Sequence, residues 1–275
     1  MPSHSEAWTI GVEEEYQIIN PLTRALYADA ESILEHVEMP AGITVHPELL
    51  RSQIEIATPV CQTLDEVRAT LLQARHAIIA AASSARLWIA ASGTHPFTPW
   101  QQQRWTQTPR YIAMVQQYQQ LAREQMIFGC HVHVSCHDRE FALHIMNRAR
   151  MWLGPLLALA ANSPFWAGVD TGYASFRTAI WSRWPMAGPP RFFQSFADYS
   201  ELIETLHRTG SIEDTSHLYW DMRLSDHAPT IEFRIMDVCL TVAETTMLAG
   251  LIRALVQTCA RQAQQQVPVA QVPTE

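Results

Sequence analysis

Thr9-Ile10-Gly11-Val12-Glu13-Glu14-Glu15-Tyr16-Gln17-Ile18 is the stretch on which the reading of this chain turns. Its even positions are mostly apolar, and its odd positions carry Glu13, Glu15 and Gln17. A β-strand sends alternate side chains to opposite faces, so this period of two predicts a strand with Glu13 and Glu15 on one side. The same scheme recurs downstream. Ser52 to Thr58 sets Ile54 and Ile56 against Gln53 and Glu55, and Cys130 to Cys136 sets Val132 and Val134 against His131, His133 and Ser135. Thr230 to Asp237 opposes Ile231, Phe233 and Ile235 to Glu232 and Arg234. Trp220 to Leu224 is a shorter case, with Asp221 and Arg223 opposite Trp220, Met222 and Leu224.

Helical patterns separate these strands. Thr63-Leu64-Asp65-Glu66 and Thr241-Val242-Ala243-Glu244 are capping-box sequences, each predicting a helix start. The helix after Thr241 is almost wholly apolar to about Thr258, which predicts deep burial. Pro109 to Gln125 and Arg139 to Asn162 read as further helices, the second kinked or split by Pro155. Strands of period two between long helices predict an α+β layer structure, with one sheet face on helices and the other polar. Ser163 to Phe193, rich in Gly, Pro and aromatics and carrying Arg177, Arg183 and Arg191, is too long for a plain connection and reads as a functional lid. The expected organisation is one catalytic domain over 1–261 and a flexible tail over 262–275.

The composition narrows the function. Charged residues are only 17% of the 275, the net charge is −8, and no Lys/Arg run occurs, which argues against nucleic acid and anionic membrane as partners. The five cysteines include no CxxC pair, which argues against a disulfide framework or zinc knuckle and for a reducing compartment. No secretory pattern is visible in residues 1–8, and the longest apolar stretch, 77–91, is too short and too polar to span a bilayer, so a cytoplasmic location is expected.

The polar strand faces carry Glu, His and Arg but no Lys. Each alone has a plain reading: Glu13 to Glu15 as a solvated strand end, His131 and His133 as packed or exposed histidines, Glu232 with Arg234 and Asp221 with Arg223 as ion pairs. Jointly they point to chemistry, because every strand turns its ionisable residues the same way relative to its apolar face. So many carboxylates together would repel and raise one another's pKa values, and that repulsion implies cations. Magnesium takes carboxylates together with phosphates, while imidazole suits manganese or zinc better. No GxGxxG, P-loop, nucleophile elbow or HExxH is present. Two competing readings stay open: a divalent-metal hydrolase working on activated water, and a nucleotide-binding relative without turnover.

Gly11-Val12-Glu13-Glu14-Glu15-Tyr16, Glu55-Ile56-Ala57-Thr58-Pro59-Val60-Cys61, Gly93-Thr94-His95-Pro96-Phe97 and Gly129-Cys130-His131-Val132-His133-Val134 resemble motifs of the carboxylate–amine ligases also called glutamate–cysteine ligase type 2. So do Asn162 to Trp166, Asp170 to Ser175, Trp181 to Pro185, Tyr219 to Arg223 and Thr230 to Arg234, in the expected order over about 9–258. The resemblance implies a glutamine-synthetase-like fold: a curved antiparallel sheet with helices outside and a funnel-shaped polar site inside. It implies ATP with Mg2+ (or Mn2+), and glutamate or a similar carboxylate joined to cysteine or another amine through an acyl phosphate. By that likeness Glu13, Glu15, Glu55, His131 and Glu232 hold metal. His133 and Arg234 approach the phosphates and act in catalysis, and Arg177 and Arg183 hold a substrate carboxylate or phosphate, with Arg183 also counted as catalytic. The implied partners are small molecules, with a second copy of the chain as the macromolecular candidate. Members of that family continue past the last apolar helix with a further helical section, whereas this sequence ends in a Gln- and Pro-rich stretch, which reads as a shortened C-terminal section.

Overall fold

The computed structural model describes residues 8–269; the expectations placed on 1–7 and 270–275 lie outside it. Among the described residues nine strands form: β1 (Ile10–Ile19), β2 (Thr44–Pro47), β3 (Gln53–Ala57), β4 (Trp88–Ala90), β5 (Gly129–Ser135), β6 (Phe165–Trp166), β7 (Val169–Asp170), β8 (Met222–Leu224) and β9 (Thr230–Asp237). The helices are α1 (Ala30–Leu34), α2 (Leu64–Ser84), α3 (Pro109–Tyr118), α4 (Gln120–Arg123), α5 (Arg139–Ala149), α6 (Leu153–Ala160), α7 (Phe176–Trp181), α8 (Phe196–Arg208) and α9 (Val242–Gln264). Seven strands make one antiparallel sheet in the order β2-β3-β1-β5-β9-β8, with β4 pairing the far end of β1; β6 and β7 form a separate hairpin. The five strands read from alternation are all present within a residue or two, and the expected α+β class holds.

Alternation decides which face is buried. Ile10, Val12, Tyr16 and Ile18 of β1, Ile54 and Ile56 of β3, Val132 and Val134 of β5, and Ile231 and Phe233 of β9 form one apolar layer. Helices α2, α5, α6 and α9 pack over it. Burying each such side chain contributes about 1.5–3 kcal/mol, so a one-residue register slip, which would turn Glu13 and Glu15 into this layer, is strongly opposed.

Both capping boxes form. Thr63 and Thr241 accept from the backbone N–H groups of Glu66 and Glu244, whose carboxylates in turn accept from the cap residues. The expected deep burial of the last helix is corrected. Helix α9 presents one side to the core through Leu248, Ile252 and Val256, but Met247 and Leu251 are 45% and 44% exposed. It also runs to Gln264, so residues 262–264, assigned to the tail, are helical.

Two long helical readings are divided. Gln119, at φ 48°, breaks the first into α3 and α4. The second tightens into a 3₁₀ turn at Arg150–Trp152 before α6 begins. Pro155 sits in the first turn of α6, where its missing N–H is harmless, and its ring would clash with the carbonyl of Met151 in a continuous helix. The break therefore falls upstream of the proline. All five cysteines are free and buried, and among the described residues no helix is long and apolar enough to cross a membrane.

Candidate functional site

The face opposite the helices floors a cavity of about 490 Å³. Strand register builds its floor. Glu15 stands opposite Glu55 across the β1–β3 pair, and Glu13 stands opposite His131 across β1–β5. His133 faces Glu232 across β5–β9, and Glu232 faces Arg223 across β9–β8. A bulge gives β9 one extra residue between the partners of Cys130 and Val132, which sets Arg234 beside His131. The convergence of acidic and imidazole groups expected from separate strands is thus present.

Among the described residues, two groups of three have ligand atoms all within 4.8 Å of one another: Glu13, Glu55 and His131, and Glu13, His133 and Glu232. Glu13 belongs to both. Its carboxylate accepts from His131 Nδ1 at 2.9 Å, and His133 Nε2 lies 3.4 Å away. Burial alone would raise the Glu13 carboxyl; the two imidazoles outweigh it and hold the group well below its ordinary range. Burial, with the Arg234 charge alongside, lowers His131 to about 4, so at neutral pH it is an uncharged imidazole able to donate a lone pair. Burial opposes the charge on His133 too, but Glu13 and Glu232 more than offset it and raise the group above its usual value.

Glu15 joins neither group of three; its carboxylate accepts the Gly129 N–H at 2.5 Å. Burial and the neighbouring Glu48 carboxylate push Glu15 up to about 7. Burial, then Glu48, Glu13 and Glu15, raise Glu55 well above the carboxylate range. These are the mutually repelling carboxylates that the sequence implied, and they fit a divalent cation: ion binding would replace protons and remove the repulsion.

Glu232 is differently placed. Arg223 Nε donates to it at 2.7 Å and Arg234 Nη1 bonds its other oxygen, so despite burial the two guanidiniums hold its carboxyl far below normal. Its charge is already largely compensated, and any metal there shares it with two arginines.

The loop arginines separate. Arg177 is buried at the cavity wall, its guanidinium donating to the carbonyls of Ile235 and Arg234 at 3.2 and 3.3 Å. Gly129 makes room for it, since a Cβ there would collide with the Arg177 guanidinium. Arg183 is corrected: it is not part of the cavity lining and pairs with Glu124 at 2.6 Å on the surface. Arg191 likewise lies outside the lining, paired with Asp198 at 2.5 Å. The expected lid contributes Trp181 and Trp184 to the wall instead.

Several lining residues lay outside the candidate set drawn from the sequence. Glu48, in the loop after β2, accepts from the Tyr111 hydroxyl at 2.6 Å. Arg110, Gln125 and Tyr219 also face the cavity. Behind the sheet, Glu14 is fully buried on the helix-packed side and is held by Arg75 of α2 at 2.6 Å and by Thr245 of α9 at 2.5 Å.

Known proteins share this arrangement of sequence and fold. The profile described as glutamate-cysteine ligase family 2 matches residues 9–274. A protein of Rhodopirellula baltica named "Putative glutamate--cysteine ligase 2" is 45% identical over 96% of this chain and 72% of its own length. Proteins of the same name from Herpetosiphon aurantiacus and Roseiflexus castenholzii are 42% and 40% identical over 92% and 90% of this chain. The chain spans 66% of each of those two relatives. Among solved structures, a glutamate–cysteine ligase of Francisella tularensis in complex with AMP superposes with a TM-score of 0.69 at 13% identity, covering 97% of this chain and 68% of its own. A bifunctional glutathione synthetase of Pasteurella multocida gives 0.65 at 12% identity, covering 94% of this chain and 41% of its own. At such identities these two bear on the fold alone, and they agree with the α+β architecture expected from the sequence.

Proposed function

The chain belongs to glutamate-cysteine ligase family 2, and on that premise we propose that it is an ATP-dependent carboxylate–amine ligase acting on glutamate or a similar carboxylate. The observation that carries this reading is the pair of Glu/His groups sharing Glu13 on the cavity floor, with Arg234 beside them. Glu13, Glu55 and His131, with Glu13, His133 and Glu232, are the residues that would hold divalent cations, and Glu15 borders them. Cations bound there would neutralise phosphate charge and make a triphosphate tolerable over an acidic floor.

A carboxylate is a poor acyl donor because oxide would have to leave. In the proposed reaction its oxygen attacks the γ-phosphorus, the bond to the bridging oxygen breaks, and ADP departs. The amine nitrogen then attacks the carbonyl carbon of the acyl phosphate, loses a proton, and expels phosphate. The protein's part is positioning and charge neutralisation. Arg234 is fixed by Glu232, so its guanidinium is pre-set toward developing negative charge. Arg177, pinned by two backbone carbonyls, adds positive potential beside Glu15. Neutral His131 keeps a lone pair for an ion, and His133, steadied by Thr230 at 2.9 Å, offers a titratable group near the phosphates.

Glu55→Gln tests the reading better than a change at Glu232. Glu55 makes no arginine ion pair among the described residues, so its loss strands no buried cation. The expected result is loss of Mg2+-dependent ADP release in the presence of carboxylate and amine together, with an unchanged or higher melting temperature in the metal-free protein. A Glu55→Gln protein as active as wild type would remove the assigned role.

A further inference from the structure

Among the described residues four arginines line the cavity: Arg110, Arg177, Arg223 and Arg234. Three are already engaged. Arg223 and Arg234 bond Glu232, and Arg177 bonds main-chain carbonyls. Arg110, in the first turn of α3, makes no salt bridge among the described residues and is exposed at the cavity edge. Its charge is felt by Glu48 and by the phenol of Tyr219, which fixes the side of the cavity it serves.

The cavity lining holds two buried polar oxygens without partners, both on residues tied to α7. The Tyr219 hydroxyl and Gln125 Oε1 have no hydrogen bond, although the residues are only 6% and 4% exposed. Gln125 Nε2 is used by the carbonyl of Ile180 at 3.4 Å, which leaves the oxygen of the amide for something else. Tyr219 is held firmly: its ring stacks on Trp184 at 4.8 Å, and its carbonyl accepts from Trp181 Nε1 at 3.0 Å. Unpaired buried polar atoms are costly, and their presence on a cavity wall marks a place that a ligand completes.

We propose that Arg110, Tyr219 and Gln125 form the subsite for the head group of an α-amino acid, its carboxylate on Arg110 and the Tyr219 hydroxyl and its amino nitrogen donating to Gln125 Oε1. The donor and acceptor set decides between ligands. A phosphate offers only acceptors and would face the Gln125 oxygen unfavourably, whereas an amino acid carries an acceptor and a donor side by side. The proposal rests on the ligase reading and adds where in the cavity the amino acid sits. The head group can belong to the carboxylate donor or to the amine acceptor, and the assay separates them.

The test measures calorimetric binding of a non-hydrolysable ATP analogue with Mg2+, then of glutamate, cysteine and their α-amides, to the full chain. Wild type should prefer free acids over α-amides. Arg110→Gln should weaken amino-acid binding by about tenfold or more and erase that preference, while nucleotide affinity stays within about twofold. Tyr219→Phe keeps the ring stacking and should weaken the same amino acid several-fold without lowering the melting temperature. Whichever of glutamate or cysteine responds identifies the occupant. Unchanged amino-acid affinity in both variants, or a loss confined to nucleotide, overturns the subsite and leaves the ligase reading standing. Wild type that binds neither nucleotide nor amino acid overturns both.

Discussion

Replacing Arg75 by Met isolates the most demanding electrostatic arrangement in the protein. Glu14 lies under the sheet with no solvent exposure, and Arg75 reaches it from α2 with Nη2 at 2.6 Å and Nε at 3.1 Å. The same guanidinium caps the carbonyls of Cys239 and Leu240 at 3.0 and 2.8 Å, tying α2 to the turn before α9. Methionine keeps much of the packing volume but leaves a carboxylate buried beside the Tyr16 hydroxyl and Thr245 alone. Removing one partner of such a pair costs about 3–5 kcal/mol, a large share of a typical domain's stability. The loss should appear in urea unfolding followed by tryptophan fluorescence at pH 7. Glu14→Gln in the Arg75→Met background should recover about 2 kcal/mol, since the stranded charge is gone. A loss below about 1 kcal/mol at pH 7, or one of equal size in the double variant carrying Glu14→Gln, would refute the account of a buried charge that needs its partner.

Further outcomes follow from the cavity and its rim. Arg183→Ala removes only a partly exposed surface pair, so ADP release should stay within about twofold of wild type, and a loss of about a hundredfold would return Arg183 to the site. Gly129→Ala drives a methyl group into the Arg177 guanidinium, so turnover should fall at least about tenfold while circular dichroism stays native; full activity would show that Arg177 need not sit there. Glu15 holds its proton to about pH 7 when folded but only to about 4.5 when unfolded, so its contribution to stability falls as pH rises through that window, by ~3 kcal/mol when complete. Mg2+ should reverse that loss and release protons at about pH 6.5, measurable as a buffer-dependent calorimetric enthalpy; a buffer-independent enthalpy would exclude protonated carboxylates from the binding site.

Alternation in the sequence was enough to place the five principal sheet strands and the face each presents, because a period of two has one structural solution when one side must be buried. It also brought Glu13, His131, His133 and Glu232 together, since register follows once every apolar face lies on the same helices. What stayed hidden was direction and reach. β4 is three residues with no alternation to read, and Glu48 sits in a loop, where no period applies. Arg177 and Arg183 belong to one loop and look alike in sequence. The single short helix α7 points the first into the wall and leads the second out to Glu124. Glu14 falls on the apolar side by the same rule that places Glu13 and Glu15, yet its partner comes from 61 residues away. Nothing local in the strand announces it.

Strand β1 sits in the middle of the sheet with β3 and β5 on either side, although it is the first strand among the described residues. During synthesis its neighbours arrive in sequence, and β9, which closes the edge of β5, is not available until Asp237 has left the ribosome. Until then β5 offers an open row of backbone donors and acceptors, and Glu14 waits for Thr245, 231 residues downstream. Sheets joined by such distant pairings fold slowly and expose sticky edges meanwhile. The nascent chain therefore spends most of its assembly as a half-built, edge-exposed sheet, and the cavity floor is among the last features to come into being.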